Sequence, residues 1–260
     1  MSELSTADVL GLLRASHERL DGAFATLGDE RATLQSYDDD WSVAQVASHL
    51  GSATEIFRHY LDAGSKGEPA PGAELNQPIW DAWNAKAPVE QIRDSLVAGE
   101  TFIEAAEALD EAERASWQLE LFGMQLDLTS FLRMRLSEQT LHTWDVTVAL
   151  DPTSTLSEDA AAAVAENLAM VAGWAGKPSD EQVSVEVRTT DPERAFHLAL
   201  GPSGVSLVPS LDDTAAASLA LPTEAFVRLV YGRLDPDHTP DSVTADGVDL
   251  DLLRTVFPGL

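Results

Sequence analysis

Cysteine is absent from the 260-residue chain. This absence excludes disulfide bonds, zinc sites with thiolate ligands and a cysteine nucleophile. If the protein carries out thiol chemistry, the thiol must therefore arrive with a substrate.

Basic residues are also scarce, with 16 Lys+Arg against 44 Asp+Glu and a formal net charge of −28. Nucleic-acid binding needs a basic surface that displaces phosphate counterions, and attraction to an anionic membrane needs basic clusters. We interpret the excess of acid as a solvated surface, and we expect neither nucleic acid nor membrane as a partner.

The sequence has no apolar run of 18 or more residues, so no transmembrane helix is expected. The first ten residues, MSELSTADVL, lack the basic segment and apolar stretch of a secretory signal. These two absences predict a cytoplasmic protein. Hydrophobic residues make up 44% and charged residues 23%, as in ordinary globular proteins.

Helical periodicity dominates the first 151 residues and predicts a four-helix bundle with a crossover connection. Helices are expected at 5–27, 42–63, 88–109 and 129–150. The second begins with a capping-box pattern, Ser42 with Gln45, and Trp41 and Val46 occupy the positions of a hydrophobic staple. Residues 64–87 are rich in Gly and Pro and predict a long connection with at most one short turn. Alternation around Gly123 predicts a small hairpin or extended loop over 117–128.

Asp151-Pro152 marks a boundary, after which the periodicity changes. A helix over 158–174 should be followed by strands, a helix over 224–234 capped by Thr223, and a short C-terminal helix. This pattern predicts a small α/β domain over 155–260. The fold class as a whole is therefore α+β.

One face of the fourth predicted helix carries the residues that suggest chemistry. Arg135, Glu138, His142 and Asp145 follow one another at i, i+3, i+7 and i+10, and His49 lies on the apolar stripe of the second helix. Glu138 and His142 are one turn apart and are suitably spaced to bind one ion. Two histidines and one carboxylate leave coordination positions open, which favours a site that activates a ligand.

Structural roles are the alternative for each of these residues. A histidine on a buried stripe is commonly a core residue, and a run of ionisable groups is commonly a solvated face. Few positions of the fourth helix are plainly solvent-facing, which favours the metal site. His17, His59, His197 and His238 are expected to have structural or surface roles.

Two segments resemble a known family. The pattern Asp-Trp-Ser-Val-x-x-Val-x-x-His at 40–49 and the pattern Arg-x-x-Glu-x-x-x-His-x-x-Asp at 135–145 resemble the mycothiol-dependent maleylpyruvate isomerase family. That family belongs to the DinB-like metal-binding bundles. The stretch ASLALPTEAFVRLVYGRL at 217–234 resembles the sterol-carrier-like domain that follows the bundle in these enzymes.

The resemblance implies a zinc ion bound by His49, Glu138 and His142, with mycothiol supplying the sulfur. A zinc-bound thiol loses its proton near neutral pH. The resulting thiolate would add to an electrophilic double bond, for isomerisation, or displace a leaving group, for S-conjugation.

The resemblance also implies that Arg233, in the Tyr-Gly-Arg segment, reaches from the C-terminal domain toward the substrate, with the active site between the domains. Arg228 is the weaker candidate for this role, and a surface arginine at a helix end is the structural alternative. We assign catalytic roles to Arg233 and Asp145, and cofactor-binding roles to Arg135 and Trp41.

The predicted function is that of a zinc-dependent transferase or isomerase that uses mycothiol on a small electrophile. A hydrolase or lyase with a metal-bound water on the same bundle, and a non-enzymatic small-molecule or lipid-binding protein, remain open. Iron, nickel or manganese would also suit the ligand set. The chain would be a monomer or a homodimer.

Overall fold

The computed structural model describes residues 4–38, 40–210 and 215–259. The chain divides into two compact units, of which one ends at Thr155 and the other begins at Leu156. The first unit is helical and the second contains a sheet, so the predicted α+β class is confirmed. Among the described residues, every helix is too short or too polar to cross a bilayer.

Helices make up most of the first unit, together with one short hairpin. The helices are α1 (Thr6–Leu27), α2 (Val43–Lys66), α3 (Asn76–Asn84), α4 (Pro88–Glu107), α5 (Glu111–Ser116) and α6 (Leu128–Leu150). Strands β1 (Gln118–Leu121) and β2 (Met124–Asp127) form the antiparallel hairpin expected around Gly123. The long helices α1, α2, α4 and α6 pack as a bundle in which α1 and α2 each contact α4 and α6.

Apolar side chains at helical spacing form the bundle core. Leu20 of α1, Val46 and Leu50 of α2 and Val146 of α6 belong to one buried cluster. Removing such side chains from water is the main favourable contribution to folding, roughly 1.5–3 kcal/mol for each fully buried Leu or Val. The mutual packing of the four long helices and their shared core confirm the predicted four-helix bundle.

The start of α2 fixes the position of the helix that carries His49. The Ser42 hydroxyl accepts from the backbone N–H of Gln45, and the Gln45 side chain accepts from the backbone N–H of Ser42. This reciprocal pair is the predicted capping box, and it satisfies two otherwise unpaired donors. The helix ends at Gly67, whose φ of 67° is the left-handed conformation that glycine adopts without strain.

The prediction for residues 64–87 was wrong in one respect, because helix α3 occupies 76–84. Pro78 stands in its first turn, where the missing N–H would have had no intrahelical partner, so the proline does not prevent the helix. Ile79 and Trp83, one turn apart, are buried and hold α3 on the bundle. Sequence reasoning also missed the short helix α5.

The second unit contains a five-stranded sheet and four helices within the described residues. Its strands are β3 (Val183–Thr190), β4 (Arg194–Gly201), β5 (Gly204–Val208), β6 (Ala217–Pro222) and β7 (Thr244–Asp246). The order is β5-β4-β3-β6-β7, with β3 and β6 parallel and the other pairs antiparallel. The helices are α7 (Glu158–Val164), α8 (Leu168–Ala175), α9 (Thr223–Val230) and α10 (Leu250–Val256).

Strand alternation determines which side of this sheet is buried. Val185 pairs with Leu198, and Val187 with Phe196, and all four are buried. His197, between two of them in sequence, points to the opposite face, where its Nε2 lies 2.9 Å from the Ser184 hydroxyl. The period of two places alternate residues on alternate faces, as expected.

Two details of the second unit differ from prediction. The helix expected at 158–174 is interrupted by a tight turn at 165–167. The helix expected at 224–234 ends at Val230, and Thr223 is its first residue, not its cap. The Thr223 hydroxyl instead bonds to the Pro192 carbonyl at 3.0 Å. Gly232 follows the helix with φ of 73°, and a Cβ there would lie 2.2 Å from the backbone of Gly259.

Candidate metal centre

Helices α2 and α6 bring together the three predicted metal ligands. The Nε2 atom of His49 lies 3.1 Å from Oε2 of Glu138, and the Nε2 atom of His142 lies 3.7 Å from the same oxygen. One ligand atom from each residue lies within 4.8 Å of the others. The side chains of His49 and Glu138 are 30% and 35% exposed, so the cluster is reachable from solvent.

The two distances to Glu138 are close to those expected between ligands of a single divalent ion. Two donors about 2.0–2.1 Å from one tetrahedral ion lie about 3.3–3.4 Å from each other. The observed separations of 3.1 and 3.7 Å lie on either side of that value. Two imidazole nitrogens and one carboxylate oxygen form a typical ligand set for a catalytic zinc, which leaves the fourth position open.

Glu138 is ionised, as a metal ligand must be. Burial acts to raise the pKa of its carboxyl, but the hydrogen bond from His49 and the charges of His142, His49 and Arg135 outweigh burial and lower that pKa to about 2. At neutral pH, the site thus contains a negatively charged carboxylate that faces two imidazole rings.

Asp145 orients the second histidine. Its Oδ2 lies 2.8 Å from Nδ1 of His142, and its side chain is fully buried. A carboxylate can only accept, so Nδ1 of His142 donates the proton and Nε2 is left to face Glu138. The backbone N–H of Tyr37 also donates to the carbonyl of Asp145, at 3.1 Å.

Trp41 lies beside both candidate metal-ligand histidines. Its ring centroid is 5.0 Å from that of His49 and 6.1 Å from that of His142. The Ser36 hydroxyl donates to the Trp41 carbonyl at 2.6 Å, and the Tyr37 ring packs 4.6 Å from Trp144 of α6. These contacts hold the loop before α2 against α6, and thereby place the indole at the edge of the site.

Arg135 is buried in the bundle interior. Its Nη2 donates to the Thr54 hydroxyl at 2.6 Å and to the Gln139 side chain at 2.9 Å. Its Nε and Nη1 atoms have no hydrogen-bond partner among the described residues. Burial lowers the pKa of this guanidinium to about 10, against the opposing charge of Glu138, so it remains cationic at neutral pH.

The candidate arginines of the second unit have different surroundings. Arg228 is buried and makes two hydrogen bonds to Glu224, of 2.8 and 2.9 Å, and one to the carbonyl of His238. Arg233 is half-buried, and its Nη1 donates to the Tyr231 carbonyl at 2.9 Å. Arg228 is thus engaged in structural contacts, whereas Arg233 keeps part of its surface in solvent.

The other histidines have contacts of their own. His17 is buried against Gly99, and its Nε2 lies 3.7 Å from a Glu100 oxygen. Burial lowers the pKa of this imidazole. His238 bonds to Asp235 through Nδ1 at 2.8 Å, and His59 is exposed.

Sequence reasoning missed a groove of about 980 Å³ that His49 helps to line. Trp41 and Gln45 line it from the α2 side, and Gln77, Trp80 and Asn84 line it from α3. Residues 64–87 were predicted as a connection, so no wall was expected there. The signal that was available is the one-turn spacing of Ile79 and Trp83, which marks a helix face.

Fold and site together define a class: a four-helix bundle with a His–Glu–His candidate metal centre, followed in the chain by a small mixed-sheet domain. Residues 13–147 match the family model described as the mycothiol maleylpyruvate isomerase N-terminal domain, and residues 158–254 match the model of the C-terminal domain of the same family. The chain belongs to the mycothiol-dependent maleylpyruvate isomerase family, as the sequence motifs indicated.

Solved structures show the same fold. The chain is similar to a crystal structure of the mycothiol-dependent maleylpyruvate isomerase, with a TM-score of 0.69 and 14% identity over 96% of this chain and 97% of that one. A histidine-to-alanine mutant of that enzyme gives a TM-score of 0.68 at the same identity and coverage. No curated protein matched the chain.

Proposed function

We propose that this protein is a metal-dependent enzyme that uses mycothiol as a thiol cosubstrate to isomerise or S-conjugate a small electrophile. The observation that carries the proposal is the convergence of His49, Glu138 and His142, with ligand atoms within 4.8 Å of one another, in a chain of this family. The absence of cysteine agrees with it, because the sulfur must then come from the cosubstrate.

The three ligand residues would hold zinc, and the zinc would supply positive charge that lowers the pKa of a bound thiol. Asp145 accepts from Nδ1 of His142 and so favours the tautomer whose Nε2 can bind the metal. Its carboxylate is fully buried and contacts the candidate ligand histidine, so we assign it a positioning role in place of the catalytic role expected from the sequence.

Arg135 and Trp41 are the other two residues of the first unit to which we assign a role in cofactor binding. Arg135 adds a buried positive charge that helps to keep Glu138 ionised. The Trp41 indole forms an apolar wall beside His49 and His142, and a thiol ligand would pack against it. Both roles serve cofactor binding through the metal centre.

Arg233 is our candidate for binding the electrophile. A substrate that contains a carboxylate, or that develops an oxyanion, needs a cationic partner, and the chain has only 16 Lys+Arg. Arg228 is buried beside Glu224, whereas Arg233 is partly exposed and can be reached by a substrate, so we choose Arg233 of the two.

Cobalt substitution tests the proposal directly. Cobalt-loaded protein is titrated with mycothiol, with oxidised mycothiol disulfide as the control that lacks a thiol. We expect mycothiol alone to shift the visible spectrum and to add a sulfur-to-cobalt charge-transfer band, and we expect His142→Ala to remove both effects.

Product analysis by mass spectrometry then separates the reaction types, with mycothiol and a panel of unsaturated carboxylates and alkyl halides as substrates. An isomerised acid or a mycothiol adduct supports the proposal. Thiol-independent hydrolysis, with no spectral response to mycothiol, would show that the protein is a metal-dependent hydrolase instead.

A further inference from the structure

We infer that the groove between α2 and α3 binds the sugar portion of the thiol cosubstrate, with Trp80 as its stacking surface. The inference rests on the proposed function, because it assigns a subsite for the same cosubstrate. Mycothiol joins N-acetylcysteine to a glucosamine–inositol pair, so a sulfur at the metal centre requires a neighbouring site for a polyhydroxylated group. His49 lies at the metal centre and also lines the groove, and so links the two.

The groove is larger than a small electrophile needs. At about 980 Å³ it reaches the upper end of the roughly 300–1,000 Å³ range of small-molecule sites. Its floor and walls come from the loop before α2, from α2, from α3 and from the start of α4. A ligand of two linked rings is the size class that such a volume accommodates.

The lining chemistry favours a neutral, hydroxyl-rich ligand. Amide and hydroxyl side chains dominate, and each can both donate to and accept from a sugar hydroxyl. Those from the described lining are Thr33, Ser42, Gln45, Ser52, Gln77, Asn84 and Gln91. The described lining contains no carboxylate, although 44 of the 260 residues are Asp or Glu. A lining of this kind favours a neutral ligand that binds through hydrogen bonds.

The described lining contains one lysine, Lys86, but its positive charge is not available to an anionic ligand. The ammonium of Lys86 is 3.0 Å from Asp94 and lies 3.6 Å from the centroid of the Trp83 ring. Its charge is therefore already balanced by the carboxylate. An anionic ligand would compete with Asp94 for Lys86, whereas a neutral ligand does not need this charge.

The α3 wall is held in place before any ligand binds. The Trp83 ring packs so closely on α2 that a Cβ added to Gly51 would lie 2.1 Å from it. The indole N–H of Trp83 donates to Glu55 at 2.8 Å, and the Ser48 hydroxyl donates to Asn84 at 3.0 Å. A preformed wall lowers the entropic cost of binding.

Trp80 projects from this anchored helix with 41% of its surface exposed. An exposed indole beside amide groups offers a flat apolar face for the C–H side of a sugar ring, while the amides bond to its hydroxyls. Gln77, on the preceding turn of α3, supplies an amide next to that face.

Calorimetry on the zinc-loaded full chain tests the subsite without thiol chemistry. The probe is N-acetylglucosaminyl-inositol, which lacks both the thiol and a free amine. We expect saturable binding that Trp80→Ala weakens about tenfold, equivalent to about 1.4 kcal/mol, and that Trp80→Phe largely preserves. Trp174→Ala is the matched control, because Trp174 is an exposed helical tryptophan of the second unit, and it should leave the affinity unchanged.

A cobalt titration separates this inference from the proposed function. In Trp80→Ala, mycothiol should bind about tenfold more weakly, and N-acetylcysteine should bind as it does to the unmodified chain. Equal affinities of both thiols for the unmodified chain, or no effect of Trp80→Ala on the sugar probe, would overturn the subsite while the thiol function stands. If neither thiol alters the cobalt spectrum but the sugar probe binds and depends on Trp80, the proposed function fails and the sugar site stands.

Discussion

Replacing Asp145 by Asn should weaken zinc binding by about 10- to 100-fold while the fold is preserved. Asp145 contacts the candidate metal centre through His142, whose Nδ1 lies 2.8 Å from its Oδ2. The substitution keeps the size of the side chain but removes its charge. An effect on metal affinity therefore measures how much the orientation and basicity of His142 depend on that carboxylate.

The expected magnitude follows from two orientations of the new amide. If its oxygen accepts from Nδ1 of His142, the tautomer is kept and only the charge is lost, which corresponds to the lower end of the range. If its NH₂ group faces Nδ1, the imidazole must carry its proton on Nε2, and the metal-binding lone pair is lost. Mutation of such supporting groups commonly lowers metal affinity 10- to 100-fold.

The assay is competition for zinc between the protein and a chromophoric chelator at fixed pH. Asp235→Asn is the matched control, because Asp235 also holds a histidine, His238, through Nδ1 at 2.8 Å and three residues away. It should leave zinc affinity unchanged. Thermal unfolding of the metal-free proteins is measured in parallel. Unchanged zinc affinity in Asp145→Asn, with the fold intact, would refute the positioning role.

Three further predictions follow from the same geometry. His142→Ala should abolish stoichiometric zinc while circular dichroism stays near the original, because the apolar bundle core does not include this residue; unfolding at room temperature would instead indicate a structural metal. Arg233→Met should lower kcat/KM by about 10- to 1000-fold with zinc retained, and Arg233→Lys should restore only part of it; unchanged steady-state kinetics would exclude a substrate role. Because burial lowers the pKa of His17, the unfolded chain binds a proton there more readily, so stability should fall as pH drops below about 6.5. In urea unfolding from pH 7 to pH 5, His17→Gln should reduce this fall and exposed His59→Gln should not; equal slopes in both variants would contradict the assignment.

The sequence by itself determined the features that depend on nearby residues. The capping box of Ser42 and Gln45 and the bundle helices followed from local spacing, because caps and helical faces involve residues three or four apart. Glu138 and His142 were expected on one face for the same reason. The family resemblance rested on motifs within these same segments and was confirmed by the matches over both halves of the chain.

Only the tertiary structure decided what depends on packing between distant segments. His49 and Glu138 are 89 positions apart in the chain, and they meet because α2 packs on α6. The same packing buries Arg135 and places Trp41 beside the imidazoles. The spacing of Ile79 and Trp83 could have indicated helix α3, but its position on α2 depends on the packing of Trp83 against Gly51, a close approach that no local spacing specifies. Long-range contacts of this kind fix the groove and the site, and their geometry is set by the packed core rather than by any single segment.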